Sequence, residues 1–260
     1  MPPESLSYPS AEHEALQEIN TLHGDWKRAH VEALRDLPED PASLYVTDGF
    51  FPHYFDQKVR ILFVGRESRG LSEHDYIDAL WKAYVHDRKI GNLSLNSSKI
   101  HRLLFYVTYA LNRKCFGYAD IPYATELAGD FGQVGGLSWA MMNLSKLSND
   151  TEDWSTQWNL VDQSLQASNG RPFHREMVRI LKPHVIITMN LSPYLKLISD
   201  VESLEKDTDI YAYSARYEGG TALLLDMHHF SATSKADERC FIEPLSRVAA
   251  PLLPQFCPGW

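Results

Sequence analysis

The sequence predicts an α/β protein built on a central, mostly parallel sheet of about four strands. Three observations carry this. Short apolar runs alternate with stretches of helical periodicity along the 260-residue chain, the pattern of strands joined by crossover helices. Each apolar run ends in a polar loop: "GRES", "NLSK", "NLSP" and "HHFS". In an open α/β sheet, ligands bind outside the carboxyl ends of the strands, so these loops mark the edge where a site belongs.

Taken in order, residues 11–36 predict a helix, with Leu16, Ile19, Leu22, Trp26 and Val31 near helical spacing. "PEDPAS" breaks the chain. The first strand falls at 59–64, where Ile61, Leu62, Phe63 and Val64 form an apolar run. Ser72 and Asp75 match a capping box opening a helix to about Lys89. Residues 98–111 predict a more buried helix, and 112–136, with five glycines, a loop-like region. "WAMMN" at 139–143 is the second strand and "HVIITMN" at 184–190 the third, preceded by a helix beginning near Arg171-Pro172. Ser192-Pro193 opens another helix, "TALLLDM" at 221–227 is the fourth strand, and a last helix runs from about Lys235 to Ala249, with Ser234 and Asp237 as its capping box.

Composition narrows the class. Hydrophobic residues make up 44% and charged residues 23%, as in ordinary globular proteins. No apolar run reaches the ~18–20 residues that span a bilayer, and the first ten residues lack a basic segment followed by an apolar one. Cys115, Cys240 and Cys257 lie far apart and offer no metal-ligand spacing. The expectation is a cytoplasmic monomer with no membrane partner, no metal and no cofactor. The net charge of −9 argues against nucleic-acid binding over the whole surface. Basic residues nevertheless gather at Lys99, His101 and Arg102, and at Arg171, His174, Arg175, Arg179 and Lys182; they form either a local basic face or solvated helix faces.

Three strand-end loops together resemble the uracil-DNA glycosylase superfamily: "GRESRG" (65–70), "NLSK" (143–146) and "HFS" (229–231), with "KPHVIITMN" as the apolar strand between the last two. Each motif alone is weak; their order and spacing from about 59 to 250 carry the likeness. The resemblance implies a three-layer α/β sandwich over residues 56–260, with 1–55 as an N-terminal helical extension packed on it. It also implies a monofunctional DNA glycosylase that hydrolyses the N-glycosidic bond of a flipped-out deaminated or modified base. Glu67 stands where a carboxylate positions water, and His229 where a hydrogen-bond donor stabilises the departing base. Asn143 stands where an amide reads the base edge, with Gly65, Arg66, Ser68 and Arg69 lining the same substrate site. Lys146, Phe230 and Ser231 fall at DNA-contacting positions, Lys146 and Ser231 toward phosphates.

The chain also departs from the pattern. Ser68 replaces a proline, and Arg69 stands where uracil-specific members carry a tyrosine. Phe230 replaces the proline of H-P-S, and "SATSK" replaces an intercalating leucine. The cysteine pattern excludes the iron–sulfur branch. Uracil specificity is therefore open, and a modified base fits as well, including a bulky phage-type modification met in defence rather than repair. Structural alternatives stand beside each role: a capping or ion-pairing Glu67, a turn Asn143, a surface Lys146, a buried His229. His228 competes with His229, which the spacing to Ser231 favours. At the level of function the alternative is a non-catalytic DNA- or nucleotide-binding module on the same fold. A nucleotide enzyme wrapping "GRESRG" around a phosphate is disfavoured, because the P-loop lysine and G-x-G-x-x-G are missing.

Overall fold

Ile61, Leu62, Phe63 and Val64 are fully buried, as a strand covered on both faces must be. A computed structural model describes residues 6–37, 39–152, 155–168 and 170–260. Its strands are β1 (Gly49–Phe50), β2 (Ile61–Gly65), β3 (Lys89–Ile90), β4 (Leu93–Ser94), β5 (Ala140–Asn143), β6 (Val185–Met189), β7 (Asp200–Lys206), β8 (Ile210–Tyr217) and β9 (Gly220–Met227). β3 and β4 form a separate hairpin, and the other seven form one sheet in the order β1-β5-β2-β6-β9-β8-β7. The inner strands β5, β2, β6 and β9 are parallel, and β1, β8 and β7 are antiparallel additions at the edges. The expected sheet of about four mostly parallel strands is thus the centre of a larger, mixed one. The edge strands escape sequence reading because β1 has two residues and β7, "DVESLEK", is almost wholly exposed.

Alternation along each inner strand sends side chains to opposite faces. Ile61, Phe63, Met141, Val185, Ile187, Leu223 and Leu225 face one core. There they meet Leu103, Leu104, Val107 and Leu111 of α2 (Lys99–Arg113). Leu62, Val64, Ala140, Met142, Ile186 and Leu224 face the other. That face is covered by α1 (His13–Ala33) and α3 (Phe173–Leu181). Truncating a fully buried leucine such as Leu104 to alanine removes contacts on every side, at about 2–5 kcal/mol. Residues 1–55 do more than pack on this body. They supply β1, and Trp26 of α1 is fully buried and stacked on Phe173 at 5.1 Å.

Several helix boundaries differ from expectation. The helix expected from Ser72 begins at Tyr76, because Asp75 is the residue that caps it, accepting from Asp78 N–H at 2.9 Å. A π-helical turn, Lys82–Asp87, follows it. The expected 235–249 helix is largely two π-helical turns, Glu238–Ile242 and Leu245–Ala249. There Asp237 makes no capping bond and accepts from Arg102 instead. Most of the clustered basic residues have partners within the chain, those of the second cluster at the surface. Lys99 and Arg102 bind Asp237, His101 bonds Tyr84, and Arg171, Arg175 and Arg179 pair with Asp25, Asp200 and Glu18. Among the described residues, no helix is long and apolar enough to cross a membrane.

Candidate active site at the carboxyl edge of the sheet

The end of β2 is where the chain turns from buried apolar to charged. Gly65 pairs with Asn143 in the parallel register, and the two segments then continue side by side beyond the sheet. Leu144 N–H donates to Gly65 O (3.0 Å), Ser145 N–H to Arg66 O (2.8 Å), Asn149 N–H to Ser68 O (2.9 Å) and Gly70 N–H to Asn149 O (3.2 Å). Residues 65–70 and 143–149 are therefore a single paired unit. A Cβ at Gly65 would lie 2.5 Å from the Asn143 side-chain oxygen, so any other residue there would displace the amide that lies over the backbone. β2 has β5 on one side and β6 on the other, and such a reversal of strand order marks the ligand crevice of an open α/β sheet.

Glu67 is the central group. Its side chain is 5% exposed. Oε1 accepts from Asn149 Nδ2 at 2.9 Å, and Arg69 Nη1 stands 3.8 Å away. Oε2 is buried and has no hydrogen-bond partner among the described residues, as is the case for Ser68 Oγ and Arg66 Nε in the same loop. Leaving such groups unmade costs about 1–3 kcal/mol each, and three of them lie in this one loop. Arg66 donates to Thr156 Oγ1 at 3.1 Å and lies over the Trp158 ring at 5.5 Å. Trp158 is 41% exposed and stacks on Tyr194. Arg69 donates to the carbonyls of Ser155 and Thr151, both at 3.2 Å.

His229 follows the end of β9. Burial, aided by the charge of Arg66, lowers its pKa to about 4, so the ring is neutral at pH 7. Ser231 N–H lies 3.2 Å from Nδ1. Nδ1 also lies 2.6 Å from Ser231 Oγ; in the tautomer where Nδ1 accepts from both the N–H and the hydroxyl, the proton sits on Nε2, which is left as a donor. His228 is occupied elsewhere, with Nε2 2.9 Å from Asp209 Oδ1.

Two expected DNA contacts do not hold. Lys146 is fully buried; its ammonium pairs with Asp48 and stands 4.5 Å from the centre of the Trp26 ring. It cannot reach a phosphate, because the loop turns inward and Ser164 Oγ accepts from Lys146 N–H at 2.8 Å. Phe230 is also fully buried, edge-on to Phe63 and Phe241, and belongs to the core. Ser231 is exposed. Gly65, Arg66, Glu67, Ser68, Arg69 and Asn143 thus lie together in one loop pair, and His229 stands within electrostatic reach of Arg66.

The loop pair is fixed from behind by a buried polar cluster. Asp48 accepts from Asn143 N–H at 2.7 Å as well as from Lys146. His174 Nε2 bonds Leu144 O at 2.9 Å, and His23 bonds Tyr45 and Asp48 O, both at 2.9 Å. A cavity of about 200 Å³ lies beside this cluster, lined in part by Tyr8, His23, Asp48 and Asp75, and by none of Arg66, Glu67 or His229. Sequence reading missed Asn149 and Trp158. The "SND" run of residues 148–150 is a turn signal that points to Asn149, but nothing local links it to Glu67. No protein-family model matches the chain, and no curated protein matches it.

Proposed function

We propose that this chain is a monofunctional DNA glycosylase of the uracil-DNA glycosylase type, acting on a flipped-out deaminated or modified base. The observation that carries the reading is Glu67: a buried carboxylate at the carboxyl end of β2, anchored through one oxygen and without a partner among the described residues at the other, on the loop that pairs with the segment following Asn143. A sheet with helices on both faces supports the three-layer fold that goes with this reading.

In the proposed reaction the C1′–N bond breaks, its electron pair leaves with the base, and the oxygen of water forms the new bond to C1′. Glu67 favours the positive charge that develops on the sugar, orients the water and takes its proton. Acid–base help of this kind is worth roughly 10²–10⁴-fold. Asn143 offers a donor and an acceptor to the base edge. His229, neutral and protonated on Nε2, donates to the leaving base and stabilises its negative charge. Ser231 is the remaining proposed phosphate contact. Flipping the nucleotide costs a few kcal/mol, which DNA contacts must offset. Arg69 in place of the tyrosine leaves a base other than uracil as an equally fitting substrate.

The test is a mass-spectrometric screen for free bases released from DNAs carrying varied modifications, a bulky phage-type modification included. Base release that falls about 10²–10⁴-fold in Glu67→Gln, with fold and DNA affinity kept, is the expected result. Release of nucleosides would point to another bond, and no release from a broad panel would favour a non-catalytic binding module. Glu67→Gln at the wild-type rate would make Glu67 structural and the mechanism wrong.

A further inference from the structure

A carboxylate on a loop has two oxygens and a rotatable stem, so its direction must be set by something. At Glu67 the hydrogen bond comes from Asn149, with the Arg69 guanidinium 3.8 Å from the same oxygen. The Asn149 side chain is held at both ends. Oδ1 accepts from Thr151 N–H (3.1 Å) and Thr151 Oγ1 (2.7 Å), while Nδ2 donates to Glu67 Oε1 (2.9 Å) and Ser155 O (3.3 Å). The backbone N–H of Thr151 can only donate, which fixes the amide oxygen on that side and turns the NH₂ to Glu67. Asn149 is 1% exposed, so no solvent competes for the bond.

We infer that Asn149 is the positioning residue for Glu67, holding Oε1 so that Oε2 alone faces the reacting sugar and water. This rests on the glycosylase reading. The backbone of Asn149 already joins the two loops through Ser68 O and Gly70 N–H, so aligning the loops does not need the side chain. What the side chain adds is direction at the carboxylate.

Asn149→Asp separates this role from turn-building. It keeps an acceptor for Thr151 and most of the shape, removes the donor to Glu67 and sets a second carboxylate against it. Asn149→Ala removes the donor without adding charge. On DNA carrying the base identified by the release screen, kcat is expected to fall roughly 10²-fold in both variants, as for a displaced reacting group, with KM changed less than about threefold. Only Asn149→Asp is expected to move the acid limb of the rate profile to higher pH, because two facing carboxyl groups share a proton. Thermal melts confirm that the compared variants are folded. Wild-type kcat and pH profile in Asn149→Asp, with base release intact in the wild type, would overturn the inference and leave the glycosylase reading standing. Equal losses in both variants with no shift of the acid limb would overturn it too, leaving Asn149 as a turn residue. If the wild type releases no base, the glycosylase reading fails by itself. The ¹³C-carboxyl titration of Glu67 then decides the Asn149 contact: a midpoint moved upward in Asn149→Asp supports it, and an unmoved midpoint overturns it.

Discussion

Replacing Lys146 with methionine tests the feature in which the structure departs most from a motif-based reading. The ammonium of Lys146 and the carboxylate of Asp48 are 0% and 1% exposed. Burial works against both charges. It prevails at Lys146, whose pKa is lowered, whereas at Asp48 the attraction of Lys146 and His23 outweighs it and holds the carboxyl at about 2. Methionine fills much of the same space beneath Trp26 but leaves Asp48 charged, buried and dependent on Asn143 N–H and a His23 ring nitrogen 3.4 Å away. An uncompensated buried charge of this kind costs about 3–5 kcal/mol. At ~2–4 °C per kcal/mol for a chain near this size, the melting temperature should fall by about 6–20 °C. Adding Asp48→Asn removes the stranded charge while keeping an oxygen for Asn143 N–H, so the double variant should be more stable than the sum of the singles by about 1–3 kcal/mol. Urea unfolding of the four proteins measures this directly. A Lys146→Met variant within about 1 kcal/mol of wild type would refute the buried pair and restore Lys146 as a surface contact.

Other expectations follow from the same geometry. Burial holds His30 and His101 at about 4, and burial aided by Lys146 holds His174 at about 3. Because these folded values lie below the unfolded one near 6.5, the unfolded chain binds more protons as pH falls. Stability should therefore be fully present above pH 6.5 and decline toward pH 4 by up to ~1.4 kcal/mol per pH unit for each histidine; urea midpoints at pH 7, 6 and 5 that coincide would contradict this. Gly65→Ala should push aside the Asn143 amide, which is the far end of a side chain, so stability should drop by only about 1 kcal/mol. Discrimination among bases should relax in that variant, as seen by comparing release rates on paired substrates. His229→Ala should slow release most for bases that are poor leaving groups, by roughly 10²–10³-fold; an equal effect on all bases in single-turnover assays would argue against leaving-group stabilisation.

Much of the fold was legible because the inner strands are buried on both faces. Such strands show as unbroken apolar runs, and β2, β5, β6 and β9 lie where "ILFV", "AMMN", "VIITM" and "TALLLDM" put them. β8 carries a weaker alternating signal, with Ile210, Ala212 and Ala215 buried among half-exposed tyrosines. β7 carries almost none, since its pairing with β8 is made by backbone bonds beneath charged side chains. The end of the chain misled for another reason. Its apolar spacing suits a helix of 3.6 residues per turn, while the wider turns at Glu238–Ile242 and Leu245–Ala249 place Cys240, Phe241, Leu245 and Val248 in the core.

The site was legible as far as strand ends decide it and no further. Position after a strand says where a residue is, not which way its side chain turns. Lys146 finds Asp48 at a separation of 98 residues, and Glu67 finds Asn149 at 82; neither partner can be read locally. The same pairing explains why charge follows Val64 so abruptly. Residues 65–70 have left the sheet's hydrophobic layers but still run against 143–149, so each charged group meets a partner there: Glu67 meets Asn149 and Arg69, and Arg66 meets Thr156 and Trp158. It follows that Gly65 and Asn143 are one requirement rather than two, since the glycine exists to admit the amide. His229 reaches the edge on another strand, with Nδ1 turned to Ser231 of its own loop. A loop pair that needs only to close the sheet has no use for a buried carboxylate oxygen that, like Glu67 Oε2, lacks a partner among the described residues. The proposed reaction, which develops positive charge beside that oxygen, does.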